Sequence, residues 1–483
     1  MHISSLPSEY GIGTLGMEAY RFVDFLCETG QKYWQVLPIG PTSYGDSPYQ
    51  SPSAFAGNPY FIDLPTLEAE GLIFRDEYIH TPFGSDPERV DFGAVYYYRN
   101  ILFERVCDRF SEDRYHDFSD FCRENRPWLD DYALFMSLKE ENGSRSWNEF
   151  PEELKFHRED AVREAERRLA RTIRKYKILQ FFFFKQWKSL REYANSKGIR
   201  IIGDMPIYVA YDSSDVWASP YLFYLDKELY PTRVAGCPPD SFSELGQRWG
   251  NPLYDWHNKK IEVFDWWSSR ILHATRLFDI IRIDHFRAFA DYYTIPANES
   301  TAVNGTWEKG PGIEFFNFIQ AKLGRIYIIA EDLGFLTDKV TNLLKETGFP
   351  GMRVLQFAFE NREDNIYLPH NYDKNSVVYL GTHDNNTLLG WIEESPLENV
   401  RYARKYLMIN EESDVVEEMI SSALSSVSDT VIISIQDLLK TGKETRMNTP
   451  SIEKGNWTFR VSRDYLSKIN TEWLKEKTKL YFR

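Results

Sequence analysis

The feature that most constrains this chain is a repeated alternation of amphipathic helix and short apolar strand. The segment Glu18–Thr29 has the apolar spacing of a helix, and a predicted strand, Tyr33–Pro38, follows it. Further helices, each followed by an apolar strand, are predicted at Ile178–Ser196, Ile261–Phe278, Ile313–Leu323 and Asp338–Thr347. Strands that are apolar on both faces and alternate with helices are typical of a parallel sheet covered by helices, which is an α/β fold.

Acidic residues at the ends of predicted strands favour a closed barrel over a doubly wound sheet. These residues are Asp204, Asp284, Glu331, Asp384 and Asp437. An acid beside an apolar strand is costly unless it has a function or caps a helix, and only a few of these precede a convincing helix start. A barrel brings the carboxyl ends of its strands to one rim, where barrel active sites lie. The sequence therefore predicts a (β/α)8 TIM barrel with helical and loop insertions.

Two long stretches interrupt the alternation and divide the chain. Residues 91–175 are charged and helix-like, so we expect a helical insertion there. Residues 211–258 are rich in Pro, Gly, Tyr and Trp, so we expect a loop insertion over the active site. The barrel would then consist of residues 1–90, 176–210 and 259–483.

Composition excludes several classes of protein. The net charge is -15 and the pI is about 5.2. Nucleic-acid binding requires clustered Lys and Arg, so the negative net charge argues against it. A neutral ligand such as a sugar would not be repelled by that charge. No apolar run approaches the ~20 residues of a membrane helix, and the start carries no basic-then-apolar leader, so we predict a soluble cytoplasmic protein without a membrane partner. The four cysteines are widely spaced and expected to be reduced, and we expect no cofactor.

The sharpest local signal is IIRIDHFRAF, where Arg282 and Asp284 alternate with isoleucines. Residues two apart on a strand share a face, so both side chains would point into the barrel. A guanidinium beside a carboxylate keeps that carboxylate ionised at neutral pH, and a glycosidic nucleophile must be ionised. A buried structural Arg–Asp pair fits the same pattern.

A second signal is IIAEDLG, which places Glu331 and Asp332 at the end of another apolar strand. Burial there raises a carboxyl pKa, which a group that protonates a leaving oxygen requires. Neighbouring residues on a strand point to opposite faces, so only one of the two can face the site, and the sequence leaves open which one. A helix-capping Asp332 with Glu331 on the surface is the alternative.

A third signal is the polar run in YLGTHDNNT, which contains His383 and Asp384. A zinc site would use such residues, but no HExxH motif or second His cluster accompanies them, so no metal is predicted. Hydrogen bonding to sugar hydroxyls is the favoured interpretation, and a solvated turn is the alternative. Two carboxyl groups flanking a glycosidic bond, with a third stabilising the cation-like sugar, are what glycoside chemistry requires.

These motifs resemble amylomaltase, the 4-α-glucanotransferases of glycoside hydrolase family 77 in the α-amylase clan. The resemblance covers nearly the whole chain, in order, through SLPSEYGIGTLG, GDSPYQSPSAFAGNPY, GDMPIYV, PPD with GQRWGNP, RIDHFR, AEDLG, GTHDNNT, QD, RMN and GNW. It implies transfer of an α-1,4-glucan segment to the 4-hydroxyl of glucose or another glucan by a retaining double displacement. The expected partners are α-1,4-glucans and maltooligosaccharides, with glucose as acceptor and a monomer or homodimer as the assembly.

The resemblance also implies roles for individual residues. Asp284 would be the nucleophile, Glu331 the acid and then the base, and Asp384 the group that stabilises the distorted sugar. The residues expected to bind the substrate or support the site are Tyr49, Asp204, Asp240, Trp249, Asn251, Arg282, His285 and His383. The loop Asp240–Asn251 would overhang the site and exclude water, so that a sugar rather than water receives the glucan.

Two positions depart from the family pattern. Ala288 stands in RIDHFRAF where glycine is usual. Family members usually carry a short apolar strand just before the H-x-S-S-L-P motif, and Met1 stands at that place here. We therefore expect most of the first barrel strand to be missing and the sheet to have an open seam with unpaired backbone groups.

Three other functions fit parts of the pattern. An α-glucan hydrolase would use the same site with water as acceptor, and product analysis separates it from a transferase. A catalytically inactive glucan-binding barrel would not need all three acids. A metal-dependent barrel hydrolase would be sensitive to chelators.

Overall fold

The computed structural model describes residues 1–239, 243–334, 336–360, 365–410, 412–452 and 454–483. The strands are β1 (Tyr33–Gln35), β2 (Arg200–Pro206), β3 (Arg233–Cys237), β4 (Gln247–Pro252), β5 (Ile280–Asp284), β6 (Asp291–Pro296), β7 (Thr306–Lys309), β8 (Ile328–Ala330), β9 (Gly351–Val354), β10 (Ser376–Tyr379) and β11 (Thr430–Ile432).

The helices cover the outside of the molecule. They are α1 (Met17–Glu28), α2 (Leu64–Ala69), α3 (Phe92–Arg109), α4 (Phe118–Glu141), α5 (Glu152–Lys155), α6 (Glu159–Arg168), α7 (Ala170–Ser196), α8 (Ser214–Ala218), α9 (Lys260–Leu277), α10 (Gly312–Leu323), α11 (Asp338–Thr347), α12 (Leu388–Glu394), α13 (Leu397–Tyr406), α14 (Val415–Ser425), α15 (Ile435–Leu439), α16 (Tyr465–Lys468) and α17 (Thr471–Leu480). The stretch 91–175 thus contains α3 to α6 and the start of α7.

Seven parallel strands form the central sheet, in the order β1-β2-β5-β8-β9-β10-β11. Helices lie between successive strands, as the alternation predicted, and the fold is a (β/α)8 TIM barrel. Within the described residues, β1 and β11 each pair with one neighbour only. A cavity of about 720 Å³ lies between these two outer strands.

The barrel separates two sets of side chains. Its interior holds a small apolar cluster of Ile202, Ile329, Met352, Val354, Val377 and Tyr379. The outer faces of the strands pack on helices, and Phe183 and Trp187 of α7 are both buried there. Gly203 in β2 is required by this packing, because a Cβ atom at that position would lie 2.2 Å from the Phe278 ring.

Three predicted elements differ from the structure. The strand expected in MRVLQFAF ends at Val354, and Leu355–Phe359 form a 3₁₀ turn whose Gln356 N–H donates to the Leu380 carbonyl. The stretch 211–258, predicted to be a loop, contains α8 and the antiparallel pair β3 and β4, which join β6 and β7 in a second sheet. Strand β1 ends at Gln35, short of the predicted Pro38, and proline cannot donate to a ladder.

No described helix is both long and apolar enough to cross a bilayer.

Asp279, just before β5, holds three elements together. Its carboxylate accepts hydrogen bonds from the Ile201 N–H (2.8 Å), the Arg191 guanidinium (2.7 Å) and the Asn195 amide (2.9 Å). Burial tends to raise the pKa of Asp279, but Arg191 and these donors outweigh it and hold that pKa below its usual value.

We expect Asp279→Asn to lower the free energy of unfolding by about 1–3 kcal/mol at pH 7, because it removes a charge-assisted acceptor from partly buried donors. Since the folded-state pKa is lowered, the stabilising contribution is complete above the unfolded pKa of about 3.9 and is lost as pH falls through the folded value. Urea unfolding from pH 7 to pH 3 would measure this. The control is Asp265→Asn, whose half-exposed ion pair with Lys322 should contribute less than about 1 kcal/mol. Equal losses in both variants would contradict the prediction.

Candidate active site

Arg282 lies at the centre of the rim formed by the carboxyl ends of the strands. Its side chain is 3% exposed and comes from β5, where it is in register with Asp204 of β2. Its Nη1 lies 2.6 Å from Asp204 Oδ2 and 3.3 Å from Asp284 Oδ1, and its Nη2 lies 3.1 Å from Glu331 Oε2. One cation therefore faces three acids that sequence analysis had placed at three strand ends.

Asp204 is fully enclosed, with 0% of its side chain exposed. Both carboxylate oxygens accept from Arg282, and Oδ2 also accepts from the Tyr49 hydroxyl at 2.9 Å. Burial and the Asp204 charge raise the pKa of Tyr49 well above its usual value, so the phenol stays protonated and donates. Asp204 thus contacts Arg282 and Tyr49 rather than the open face of the site.

Of the two neighbouring acids Glu331 and Asp332, Glu331 faces the site. The Glu331 N–H donates to the Ile283 carbonyl, and its carboxylate accepts the His285 N–H at 2.6 Å. Asp332 is buried on the other side, where it accepts the Met352 N–H at 2.6 Å. Glu331 therefore points to the rim, and Asp332 ties the end of β8 to β9 rather than capping a helix.

His285 has a left-handed backbone conformation, with φ 55° and ψ 44°. This conformation directs the His285 N–H at Glu331, and the following N–H, of Phe286, donates to the Glu331 carbonyl at 3.0 Å. Burial lowers the pKa of the His285 imidazole to about 4, so the ring is neutral at physiological pH.

The carboxyl groups of Asp284 and Glu331 are hydrogen-bonded to each other. Burial, and then the Glu331 charge, raise the pKa of Asp284 well above its usual value, with Arg282 acting in the opposite sense. Burial also tends to raise the pKa of Glu331, but Arg282, the Asp284 hydrogen bond and the His285 N–H outweigh it and lower that pKa. The two carboxyl groups therefore titrate as a pair, and neither loses its proton independently of the other.

This order of the two pKa values is opposite to the sequence-based expectation of an ionised Asp284 and a protonated Glu331. The reason is geometric. Arg282 lies closer to Glu331 (3.1 Å) than to Asp284 (3.3 Å), and only Glu331 accepts the backbone N–H of His285. Both contacts stabilise the ionised form of Glu331 and so lower its pKa.

Asp384 follows β10 and is the most exposed of the three predicted catalytic acids, with 47% of its side chain accessible. Its Oδ1 accepts from the Asn448 amide at 2.6 Å and lies 3.3 Å from His383 Nε2. The Arg446 guanidinium donates to the Asp384 carbonyl, and the Asn448 N–H donates to the His383 carbonyl. No role was predicted for Arg446 or Asn448 from the sequence, although both belong to the RMN motif.

Aromatic rings line two sides of the rim. Tyr49 stacks on His383 with centroids 5.0 Å apart and an interplanar angle of 16°, and Trp457 lies 5.7 Å from both rings. On the other side, Trp249 of β4 meets His285 edge-to-face at 4.8 Å. Trp457 is a further residue to which sequence analysis gave no role, although GNW marked it.

The remaining predicted residues have different positions. Asn251 is buried in β4, where its amide donates to the Val209 carbonyl at 2.9 Å and so anchors the β3–β4 hairpin beside the barrel. Asp240 lies outside the described residues. Asp437, expected at a strand end, is instead in α15 after the cap residue Ser434, and its carboxylate accepts the Leu388 N–H at 2.7 Å. Asp437 therefore caps the start of α12.

Among the described residues, no group of three or more His, Cys, Asp or Glu side chains could hold a metal ion. The site consists of acids, one buried arginine, amides and aromatic rings. These are groups that bind hydroxyls, stack on sugar rings and transfer protons.

The chain is similar over nearly its whole length to known 4-alpha-glucanotransferases. The family model described as 4-alpha-glucanotransferase matches residues 1–466. A 4-alpha-glucanotransferase from Clostridium butyricum is 47% identical over 485 residues, covering 100% of both chains.

Solved structures show the same likeness. Amylomaltase from Streptococcus agalactiae, solved in complex with acarbose, has a TM-score of 0.97 and 43% identity, covering 100% of this chain and 98% of that chain. Amylomaltase from Corynebacterium glutamicum has a TM-score of 0.80 at 16% identity, covering 99% and 74%, a likeness of fold alone.

We expect Tyr49→Phe to destabilise the protein by about 1.5–3 kcal/mol, because it removes a donor to the buried Asp204 carboxylate while keeping the ring that stacks on His383. Thermal unfolding by calorimetry measures this. Tyr97→Phe, at a position 66% exposed, is the matched control and should change stability by less than about 0.5 kcal/mol. A Tyr49→Phe protein as stable as that control would mean that the phenol does not hold Asp204.

Proposed function

Since the chain belongs to the 4-alpha-glucanotransferases of glycoside hydrolase family 77, we propose that Asp284, Glu331 and Asp384 carry out its transfer reaction. The chain is an amylomaltase-type hexosyltransferase, and hydrolysis is not the favoured activity. The observation that carries the assignment is the direct contact of the Asp284 and Glu331 carboxyl groups beside Arg282. Such proximity is compatible with the ~5–5.5 Å separation of retaining enzymes and not with the wider ~6.5–9.5 Å spacing of inverting ones.

In the first step, an Asp284 carboxylate oxygen attacks the anomeric carbon as the bond from that carbon to the glycosidic oxygen breaks. Glu331 donates its proton to the leaving oxygen, and the glucan segment remains bound to Asp284 as an ester. In the second step, the 4-hydroxyl oxygen of an acceptor sugar attacks the same carbon. Glu331 takes the hydroxyl proton, and Asp284 leaves as a carboxylate.

Substrate entry changes the surroundings of both acids before the first step. In the ligand-free site, burial and the Glu331 charge raise the pKa of Asp284 and Arg282 lowers that of Glu331, whereas the first step requires an ionised Asp284 and a protonated Glu331. A glycosidic oxygen entering between the two groups breaks their hydrogen bond and offers Glu331 an acceptor. Arg282, always charged, then stabilises Asp284 as the anion.

Asp384 and its neighbours hold the sugar while it flattens toward the cation-like transition state. The Asn448 amide and His383 fix the Asp384 carboxylate from two sides, which pre-organises its charge at low cost during reaction. Tyr49 and Trp457 offer apolar ring surface beside it, suited to the C–H faces of a pyranose.

Transfer requires an acceptor sugar to reach the ester before water does. Trp249, on the β3–β4 hairpin and in contact with His285, is positioned to provide an acceptor platform and to shield the ester. The stretch 211–258, as an insertion beside the rim, would serve this water exclusion.

The substrates we propose are α-1,4-glucans and maltooligosaccharides, with glucose or another glucan as acceptor. Support comes from the amylomaltase of Streptococcus agalactiae, 43% identical, whose structure contains acarbose. A cytoplasmic location and a monomeric or homodimeric state remain predictions.

We expect Glu331→Gln to reduce transfer from maltotriose by about 10²–10⁴-fold, the usual contribution of a positioned general acid–base. We expect Asp284→Asn to remove transfer while keeping maltotriose binding. The wild type should convert maltotriose into glucose and longer glucans with little new reducing power. Chromatography of the oligosaccharide ladder, reducing-sugar assay and calorimetric binding provide the measurements.

Glu314→Gln is the matched control, since Glu314 lies on α10 with 63% of its side chain exposed and should transfer at the wild-type rate. A wild-type protein that binds maltotriose without producing a ladder would indicate an inactive binding barrel. New reducing ends in proportion to cleavage would indicate a hydrolase.

We expect Trp249→Ala to increase the ratio of hydrolysis to transfer, because removing the indole opens the rim to water and weakens acceptor binding. The ratio of released reducing ends to glucose from maltotriose measures it. Trp307→Ala, at a 41% exposed indole on β7, is the control. If both variants keep the wild-type ratio, Trp249 does not exclude water.

A further inference from the structure

The loop that carries Tyr49, residues 47–58, is partly separated from the strand end that it faces. A cavity of about 80 Å³ lies between them and is lined by Tyr49 and Ala54 of the loop, by Asp204 of β2 and by Arg270 of α9. Direct side-chain packing therefore does not by itself fix the distance between the loop and β2. The Tyr49 hydroxyl nevertheless donates to the buried Asp204 carboxylate at 2.9 Å, so other contacts must hold the loop in place.

Two neutral side chains hold the end of the loop that is furthest from Tyr49. Gln180 of α7 accepts the Gly57 N–H at 2.7 Å and donates to the Gly57 carbonyl at 2.8 Å. On α9, Nε2 of His273 lies 2.8 Å from the Phe55 carbonyl oxygen. Burial lowers the pKa of His273 to about 4, so this ring is neutral at physiological pH.

The third anchor is Asp215 of α8, a buried residue that is 7% exposed. Its Oδ2 accepts the Ala54 N–H at 2.8 Å, and the neighbouring Ser214 N–H donates to the Pro52 carbonyl at 2.9 Å. The start of α8 thus both accepts from and donates to the main chain of the loop. These contacts are closer in sequence to Tyr49 than those of the two neutral anchors.

Asp215 carries a desolvation cost that a neutral anchor avoids. Burial raises its pKa to about 6, while the Ala54 N–H and the charge of Arg270 act in the opposite sense. Arg270 in turn donates to the Pro206 carbonyl at 2.6 Å and to the Ile207 carbonyl at 3.2 Å, at the end of β2. Two opposite charges therefore hold the two sides of the cavity, Asp215 the loop and Arg270 the strand end.

We propose that Asp215 is a positioning residue for the transfer reaction, which holds the loop at the distance from β2 at which the Tyr49 hydroxyl reaches Asp204. Without this anchor, the cavity gives the loop room to move, and the hydrogen bond between Tyr49 and Asp204 is lost. Asp204 then orients Arg282 less firmly beside the catalytic acids. The inference rests on the proposed function, because the effect of Asp215 is exerted on that reaction.

The insertion would thereby support both aromatic sides of the rim. Trp249 on β4 contacts His285 on one side, whereas α8 holds the loop of Tyr49 on the other. Both elements belong to the stretch 211–258.

Transfer kinetics with maltotriose test the proposal on the full-length protein. We expect Asp215→Ala to lower kcat by roughly 10- to 100-fold with a smaller change in KM, because a displacement of about 1 Å within a site can cost about 10²-fold. Asp215→Asn keeps an oxygen that can accept the Ala54 N–H and should stay within about threefold of the wild type. Rates are expressed per folded molecule, with the folded fraction taken from circular dichroism.

Asp63→Ala is the matched control, since Asp63 is 6% exposed and its carboxylate caps α2 by accepting the Thr66 N–H at 3.0 Å. It should lower the midpoint of thermal unfolding and leave kcat at the wild-type value. If Asp215→Ala does not fold, Asp215→Ser takes its place, because the serine side chain is one bond shorter and leaves the Ala54 N–H without its acceptor. Equal changes of kcat at positions 63 and 215 would overturn the proposal.

A double-mutant cycle with Tyr49→Phe shows whether Asp215 acts through Tyr49. When Tyr49→Phe is already present, Asp215→Ala should change kcat by less than about threefold, because the hydrogen bond that it positions is gone. Effects that multiply in the double variant would overturn the proposal, since that is the behaviour of independent sites.

Hydrogen–deuterium exchange separates failure of this proposal from failure of the proposed function. Asp215→Ala should speed amide exchange in residues 49–57 by roughly tenfold, whereas Asp63→Ala should not. This measurement needs no turnover. A wild type without transfer would contradict the proposed function, whereas unchanged exchange in residues 49–57 of Asp215→Ala would contradict the role of Asp215.

Discussion

The ion cluster around Arg282 is the interaction on which the site depends. A single buried guanidinium lies within 2.6 to 3.3 Å of Asp204, Asp284 and Glu331, which come from three neighbouring strands. Removing one partner of a buried cluster typically costs about 3–5 kcal/mol, since it leaves a charge unpaired. The register that places Asp204 opposite Arg282 is therefore both a folding constraint and a condition for chemistry.

The cluster also determines where the negative charges are located. Arginine cannot lose its proton in a protein, so the balance is adjusted by the acids. Three acids face one cation, and the excess negative charge contributes to the raised pKa of Asp284. A ligand that separates Asp284 from Glu331 weakens their effect on each other's pKa, which couples sugar entry to activation of the nucleophile. The tightly held Asp204 keeps Arg282 in place during that change.

The sequence predicted the barrel and its three acids because both follow from local periodicity. Alternation along β5 is sufficient to place Arg282 and Asp284 on one face. The sequence could not predict which way the Glu331 side chain points, because β8 has only three residues. Its end is oriented by two hydrogen bonds across the sheet, from the Glu331 N–H to the Ile283 carbonyl and from the His285 N–H to the Glu331 carboxylate. The opposite pKa shifts of Asp284 and Glu331 could not be predicted from the sequence either, because they depend on distances between residues of different strands.

Other differences also come from contacts between distant parts of the chain. Asn448 reaches Asp384 from 64 residues away, and no local pattern signals that bond. Asp437 was predicted to lie at a strand end, but Ser434 caps a short helix that contains it. The LQFAF segment has the apolar composition typical of a strand. It forms a 3₁₀ turn instead, in which the Gln356 N–H donates to the Leu380 carbonyl.

The left-handed backbone at His285 has an evolutionary consequence. The group that donates to Glu331 is a main-chain amide, so no side-chain replacement can delete it, and only proline lacks it. What can vary is the conformation, and positive φ is tolerated by Gly, Asn, Asp and His far better than by β-branched residues. Substitutions at position 285 should therefore be tolerated according to their preference for positive φ rather than their polarity. Valine at position 285 should disturb the hydrogen bond to Glu331 more than glycine does.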